Sequence, residues 1–305
     1  VNRGHKAINA AGVVTRAPLG LRHDPMNRSS LVFALVVAAA CGAPVKPVDA
    51  PAPQPAVDPQ SPKPTIVLIH GAFADASSWS AVVQRLQQRG YTVIAPPNPL
   101  RGLDVDAAAV ASLLATVDGP IVLVGHSYGG MVITAAAQGN AAVKALVYVA
   151  AFAPDTGESA GQILQKFPAP KFGPDKLLVV PHALPCGGGN GSAATGAEAY
   201  IKREAFGEVF ASDLPAATAA VMAATQRPLE ASAIGAPLVG TPAWKSVPSW
   251  ALVARADNAI APAAERFMAE RAHAHVVEVD ASHAVAVSHP DAVADLIVEA
   301  AHSVH

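Results

Sequence analysis

From Thr65 onward, short apolar runs alternate with helical patterns, and that alternation leaves few folds open. Strand signals stand at Thr65–His70, Tyr91–Ala95, Ile121–Val124, Ala145–Ala150, Trp250–Ala254 and His275–Val279. Helical spacing fills Ser78–Arg89, Asp104–Val117, Gly130–Gln138, Ala263–Ala272 and Asp291–Ala301. The strand runs are apolar nearly throughout, as strands covered on both faces must be. The expectation is an α/β chain with a mostly parallel sheet of about six strands, helices on both sides. No heptads, repeats or membrane-spanning stretch interrupt it. One interval, between Ala150 and Ser249, breaks the rhythm. There "AEAYIKREAFGEVF" sets Ile201, Ala205 and Val209 at helical spacing, and "DLPAATAAVMAATQRP" offers a helix beginning with Pro215, beyond Ser212-Asp213, and stopping before Pro228. Large apolar residues are too few there for a separate core. The interval is therefore expected to be a small helical cap insertion, at about residues 153–243, over one end of the sheet.

Ligands of open parallel sheets gather beyond the carboxyl ends of the strands, so polar residues at those tips are the chemical candidates. In "IVLVGHSYGGMVI" an apolar run ends in Gly125-His126-Ser127-Tyr128-Gly129 and a small-residue helix pattern follows at once. A sharp turn that lifts a serine out of the chain needs glycines beside it, because side chains there would collide. The pentapeptide also occurs by chance, as an ordinary turn between strand and helix. Asp257 closes "SWALVARAD" and His283 follows "HVVEVDAS", so three strand tips present Ser, Asp and His in that order. This is the chain order of a nucleophile elbow with its partners. Serine is a weak nucleophile at neutral pH, so His283 would take its proton during attack on a carbonyl. Asp257 would fix the imidazole tautomer and stabilise its charged form. The developing oxyanion needs preset donors, for which the amides of Tyr128 and Ala72 are the candidates.

Five segments carry a family likeness: "HGAFADASSW", "GYTVIAPPNPL", "LVGHSYGGMVI", "ALVYVAAFAPD" and "SHAVAVSHPDAV". Together they resemble the α/β-hydrolase superfamily over about residues 65–301, closest to its small esterases and the branch holding plant methylesterases and hydroxynitrile lyases. The resemblance implies an α/β-hydrolase fold in a shortened six-stranded form, the chain entering directly at what is usually the third strand. It implies a serine esterase cleaving a small to medium carboxylic ester or lactone, with no cofactor. A metal-free perhydrolase uses the same triad, and a non-catalytic binding protein could keep the fold. Hydroxynitrile lyases of this branch carry lysine just after the histidine, where Ala284 stands here. Some relatives place the acid where Asp155 stands, which keeps it as the alternative to Asp257. His126 is expected to prop the elbow, His70 to anchor the oxyanion loop, and His289 to start the last helix. Phe152, Phe167, Phe172, Tyr200, Phe206, Phe210 and Met222 are candidate pocket walls or simply the insertion's core. No His, Glu or Asp cluster has metal-ligand spacing, and no G-x-G-x-x-G opens a helix after a strand.

The leading residues read differently. Met26 and Arg28 begin a short basic start, residues 31–40 are an apolar run, and Cys41 follows three alanines. This is a signal-peptide pattern, too short to span a bilayer. It resembles a bacterial lipoprotein box with Cys41 as the lipidated residue; the alternative is plain cleavage near Ala40. Residues 1–25 look like an over-extended gene start, so residues 26–41 form the leader. Eight prolines between Pro44 and Pro64 then make 42–64 an extended tether before the catalytic domain at 65–305. The expectation is export from a bacterial cell, with membrane attachment only through Cys41. The other cysteine, Cys186, lies in a Gly-rich loop and is not read as a nucleophile. A net charge of −2 with 14% charged residues leaves no basic excess for nucleic acid.

Overall fold

A computed structural model describes residues 63–183 and 195–304. The leader, Cys41, nearly all of the tether, and Cys186 lie outside the described residues.

The chain opens with β1 (Thr65–Ile69), α1 (Ser80–Gln88), β2 (Val93–Ile94), α2 (Leu103–Leu114), β3 (Ile121–His126), α3 (Tyr128–Ala136) and β4 (Val143–Val149). An insertion follows: α4 (Ala160–Lys166), β5 (Leu177–Ala183), β6 (Thr195–Ile201), α5 (Arg203–Phe210), α6 (Ala216–Thr225) and β7 (Leu229–Glu230). The alternation then resumes with β8 (Ser249–Ala254), α7 (Pro262–Arg271), β9 (His275–Val279), α8 (Val285–Ser288) and α9 (Pro290–His302). Six strands pair in the order β2-β1-β3-β4-β8-β9, all parallel, which is the sheet the apolar runs imply.

Side chains alternate across this sheet, so β1, β3, β4 and β8 each feed two cores, while the edge strand β9 leaves Val276 and Val277 exposed. Val67, Ile69, Ile121, Leu123, Leu146 and Tyr148 point to one face, where Val110, Leu114, Met131 and Met268 of α2, α3 and α7 cover them. Ile66, Leu68, Val122, Val124, Val147 and Val149 point to the other, against Val82 and Leu86 of α1 and Val293, Leu296 and Ile297 of α9. Helices α1 and α9 are also joined at their rims by Arg85–Asp291 and by Arg89–Asp295 at 2.5 Å. Both faces being covered is why period-2 alternation is missing from the sequence.

The insertion has helices, as expected, but also a three-stranded antiparallel sheet in the order β5-β6-β7. Ile201 belongs to β6, not to the helix its spacing with Ala205 suggests. Ala199 and Ile201 are buried on alternate positions, and Gln226 clamps Ile201 by accepting from its N–H at 3.0 Å and donating to its carbonyl at 2.9 Å. The helix begins only at Arg203, burying Phe206 and Phe210. Asp213 does not cap α6; its carboxylate accepts from the backbone N–H and hydroxyl of Ser282 at 3.0 and 2.5 Å. Ile201, Phe206, Phe210 and Leu229 join the core on the α2/α3/α7 side, so the insertion shares the main core.

Candidate active site

The turn between β3 and α3 is tight because three backbones meet there. A Cβ on Gly129 would lie 2.4 Å from the Ile69 carbonyl oxygen, and one on Gly130 would lie 2.1 Å from that of Phe152. Only glycine lets α3 start this close to the ends of β1 and β4. Ser127 sits at the apex with φ 54° and ψ −125°, a conformation unfavourable for a residue with a Cβ. Its carbonyl accepts from the amides of Gly130 at 2.9 Å and Phe152 at 3.2 Å, which fixes the strained residue in place.

His283 stands on the loop between β9 and α8, its ring 1% exposed. Its Nδ1 meets Asp257 Oδ2 at 2.5 Å. The other oxygen of Asp257 accepts from the amides of Ala259 at 2.6 Å and Ile260 at 2.8 Å. The carboxylate is thus held by the loop that leads into α7 and presents one face to the imidazole. Asp155, the alternative acid, instead pairs with Lys245 at 2.6 Å and is not a partner of His283.

The His283 loop is gripped from several sides. Ala284 N–H donates to the Phe210 carbonyl at 2.9 Å, and the Phe210 ring packs edge-on against the imidazole at 4.8 Å. The residue expected to prop the elbow instead holds the histidine loop: His126 Nε2 donates to the His283 carbonyl at 2.9 Å. Burial, and then the nearby His283, push the His126 pKa well below the ordinary value, which keeps it the neutral Nε2–H form this bond needs. His70 anchors the loop after β1: Nε2 accepts from Asn98 N–H at 2.9 Å, and Nδ1 donates to the Gly71 carbonyl at 2.9 Å. Burial lowers its pKa too. His289 precedes α9, its ring bonded to the Ser288 hydroxyl at 2.9 Å.

Ser127, His283, Ala72 and Tyr128 all line one cavity. Its remaining wall is apolar: Phe152, Phe172 and Phe210, as expected, with Phe73, Leu164, Ile201, Leu229, Ile234 and Ile260 beside them. Of the other aromatic candidates, Phe167 packs on Phe267, Phe206 stacks on Phe210, and Tyr200 bonds Glu198. Among the described residues, neither the Ala72 nor the Tyr128 amide has an acceptor, so both donors are free. Ser127 Oγ has no hydrogen-bond partner either; contacts of this kind commonly tighten only with substrate. No group of three or more His, Cys, Asp or Glu among the described residues is placed to hold a metal.

The profile of the alpha/beta hydrolase family matches residues 66–296. The chain belongs to the alpha/beta hydrolase family. An alpha/beta hydrolase of Aspergillus novofumigatus is 32% identical over 126 residues, 35% of this chain and 50% of its own. A pyrethroid hydrolase of Sphingobium wenxiniae is 29% identical over 270 residues, covering 77% of this chain and 86% of that one. Polyneuridine aldehyde esterase superimposes with a TM-score of 0.65 at 18% identity, over 78% of this chain and 99% of the other, which shows the fold. The chain spans about half the length of the Aspergillus relative, and 47% of a carbendazim hydrolyzing esterase of Nocardioides to which it is 33% identical.

Within this alpha/beta hydrolase, two buried acids escape a motif search. Asp106 of α2 is fully buried and accepts from the Tyr128 hydroxyl at 2.9 Å and from Arg101 N–H at 2.9 Å, bracing the start of α3. Burial and the Asp106 charge drive the Tyr128 phenol far above the usual tyrosine range, so it stays a donor. Glu265 of α7 is 4% exposed and shares the helix's buried stripe with Ala264, Met268 and Ala269. A carboxyl on an apolar stripe was the available signal.

Proposed function

We propose that the chain is a serine hydrolase of carboxylic esters or lactones, acting through an acyl-enzyme. Ser127 Oγ attacks the carbonyl carbon while His283 Nε2 takes its proton. Asp257 holds the imidazole with its proton on Nδ1 and stabilises the imidazolium. The Ala72 and Tyr128 amides donate to the oxyanion of the tetrahedral intermediate. His283 then returns the proton to the leaving alkoxide, and water enters by the same route in reverse to release the acid.

The observation that carries this reading is the convergence of Ser127, the Asp257-bound His283 and two unoccupied amide donors on one cavity. Among the described residues the lining includes no Lys, Arg, Asp or Glu, so there a charged acyl group would be buried without a partner. An apolar wall of this kind favours an uncharged apolar acyl group. The names of two relatives, a pyrethroid hydrolase and a carbendazim hydrolyzing esterase, support ester-type substrates.

The test combines a substrate series with a covalent probe. p-Nitrophenyl esters of graded chain length should be hydrolysed, and a fluorophosphonate should label Ser127. Ser127→Ala should abolish both while circular dichroism shows an intact fold. Labelling at another residue, or turnover by Ser127→Ala, refutes the assignment.

A further inference from the structure

Behind Asp257 lies a second carboxyl group that the proposed reaction does not use. Glu265 is in the first turns of α7, and its side chain turns back toward the end of β8. Oε2 accepts from Ala254 N–H at 3.0 Å, while Oε1 is buried with no hydrogen-bond partner among the described residues. The charged group beside it is the Asp257 carboxyl, itself 1% exposed. Two neighbouring carboxyl groups can share a hydrogen bond only if one of them carries a proton. An ionised carboxylate offers about four acceptor sites. Asp257 already fills three, with Ala259 N–H, Ile260 N–H and His283 Nδ1–H. The shared proton therefore belongs on Glu265.

We propose that Glu265 is a protonated positioning residue, whose carboxyl donates the fourth hydrogen bond to Asp257 and so keeps that carboxylate ionised and aimed at His283. The surroundings support this state. Burial, and then the Asp257 charge, hold the Glu265 pKa well above the carboxylate range. Among the charged groups on adjoining elements, Arg266 of α7 is engaged with Glu278 of β9 at 2.7 Å in both of its bonds. Tyr148 of β4 shares a small cavity with Glu265, and its hydroxyl is bonded to Thr134 at 2.9 Å. Neither neutralises Glu265 as an anion. If Glu265 ionised, two buried negative charges would face each other beside the imidazole. The expected consequence is a loss of activity at alkaline pH that belongs to Glu265.

The inference rests on Ser127, Asp257 and His283 being the reacting triad, so its test includes readouts that need no turnover. The infrared difference between wild type and Glu265→Gln at neutral pH should contain the C=O stretch of a protonated carboxyl. By NMR, the His283 ring should titrate at the same pH in Glu265→Gln as in wild type, since a neutral donor replaces a neutral donor. Removing an ionised Glu265 would instead lower that pH. In kinetics, Glu265→Gln should keep kcat and abolish the alkaline loss. Glu265→Met, with no donor, should lower kcat roughly tenfold, the scale of one hydrogen bond to a charged group, at unchanged KM. The proposal is overturned by an absent carboxyl band, by a His283 titration lowered in Glu265→Gln, or by equal kcat losses in both variants. A wild type that hydrolyses no ester would count against the triad reading alone, because infrared and NMR still decide the state of Glu265.

Discussion

Gly130→Ala isolates the geometric requirement of the elbow, because it adds one methyl group and touches no reacting atom. The new Cβ would lie 2.1 Å from the Phe152 carbonyl oxygen and 2.9 Å from Ala151 Cβ. Reaching even a tight contact needs a separation of about 1 Å between α3 and the segment after β4. Both neighbours are backbone or backbone-fixed, so no flexible side chain can yield. Two effects oppose each other. Alanine favours a helix interior over glycine by about 0.8–1.0 kcal/mol. Overpacking a well-filled site costs about 1–3 kcal/mol, and a contact this short belongs at the upper end. The net loss should be roughly 1–2 kcal/mol, a Tm lowered by a few degrees for a domain of this size. Activity should fall further than stability. The Ser127 carbonyl is held by the amides of Gly130 and Phe152, the two residues the methyl forces apart. A misplacement of about 1 Å at a reacting group costs on the order of 10²-fold in rate. The assay is kcat on a p-nitrophenyl ester, with thermal unfolding of the same preparations. Gly235→Ala is the control, since its Cβ would meet nothing within 4 Å. A Gly130→Ala protein with wild-type kcat and Tm would refute the close-approach reasoning.

Three further outcomes are expected. Asp257→Asn should lower kcat roughly 10⁴-fold by turning an amide N–H toward His283 Nδ1 and forcing the wrong tautomer, while Asp155→Asn, at the Lys245 pair, should leave kcat unchanged. Asp106 has a folded pKa raised by burial above the ordinary 3.8, so its contribution to stability is full below that pH and is lost as pH rises through the folded value; urea unfolding should therefore show Asp106→Asn gaining on wild type between pH 3 and pH 7. For the leader, we propose lipidation at Cys41: expressed from Met26 in bacteria, the protein should take up labelled fatty acid and Cys41→Ser should not, whereas an unmodified wild type cleaved elsewhere leaves simple secretion.

The inner strands were legible because burial on both faces leaves a strong mark, a run with no polar alternate, as at Ile121–Val124. All six runs fall on strands of the parallel sheet, although Val276 and Val277 of β9 are 45% and 38% exposed. The antiparallel sheet of the insertion left no such mark. Leu178, Val179 and Val180 of its edge strand β5 are all exposed, by 52%, 53% and 39%, so no inward and outward alternation exists there to read. Ile201 misled for a related reason. It is the last residue of β6, and Ala205 and Val209 of α5 continue its burial at helical spacing across the junction.

The candidate site was legible where residue type and strand end coincide: Ser127, Asp257 and His283 each stand just past a strand, after β3, β8 and β9. It was illegible where conformation does the positioning. Phe73, Leu100, Ser127, Ala150 and His273 are the non-glycine residues with positive φ among the described residues. Four of them follow β1, β2, β3 and β4, and only His273 lies before a strand. Phenylalanine, leucine and alanine carry no sequence signature for that conformation, unlike glycine or asparagine. Strain of this kind costs about 1–3 kcal/mol per residue and persists only where surrounding structure fixes it. Here the fixing groups are the buried polar ones on the same edge of the sheet. His70 and Asn98 hold the loop that presents Ala72 and Phe73, and the Phe73 amide is bonded to Arg227 of the insertion at 3.0 Å. His126 holds His283, and Glu265 backs Asp257. The Phe73 loop and His283 thus each have a buried polar group supporting them from another element. Removing such a support should change rate before it changes fold.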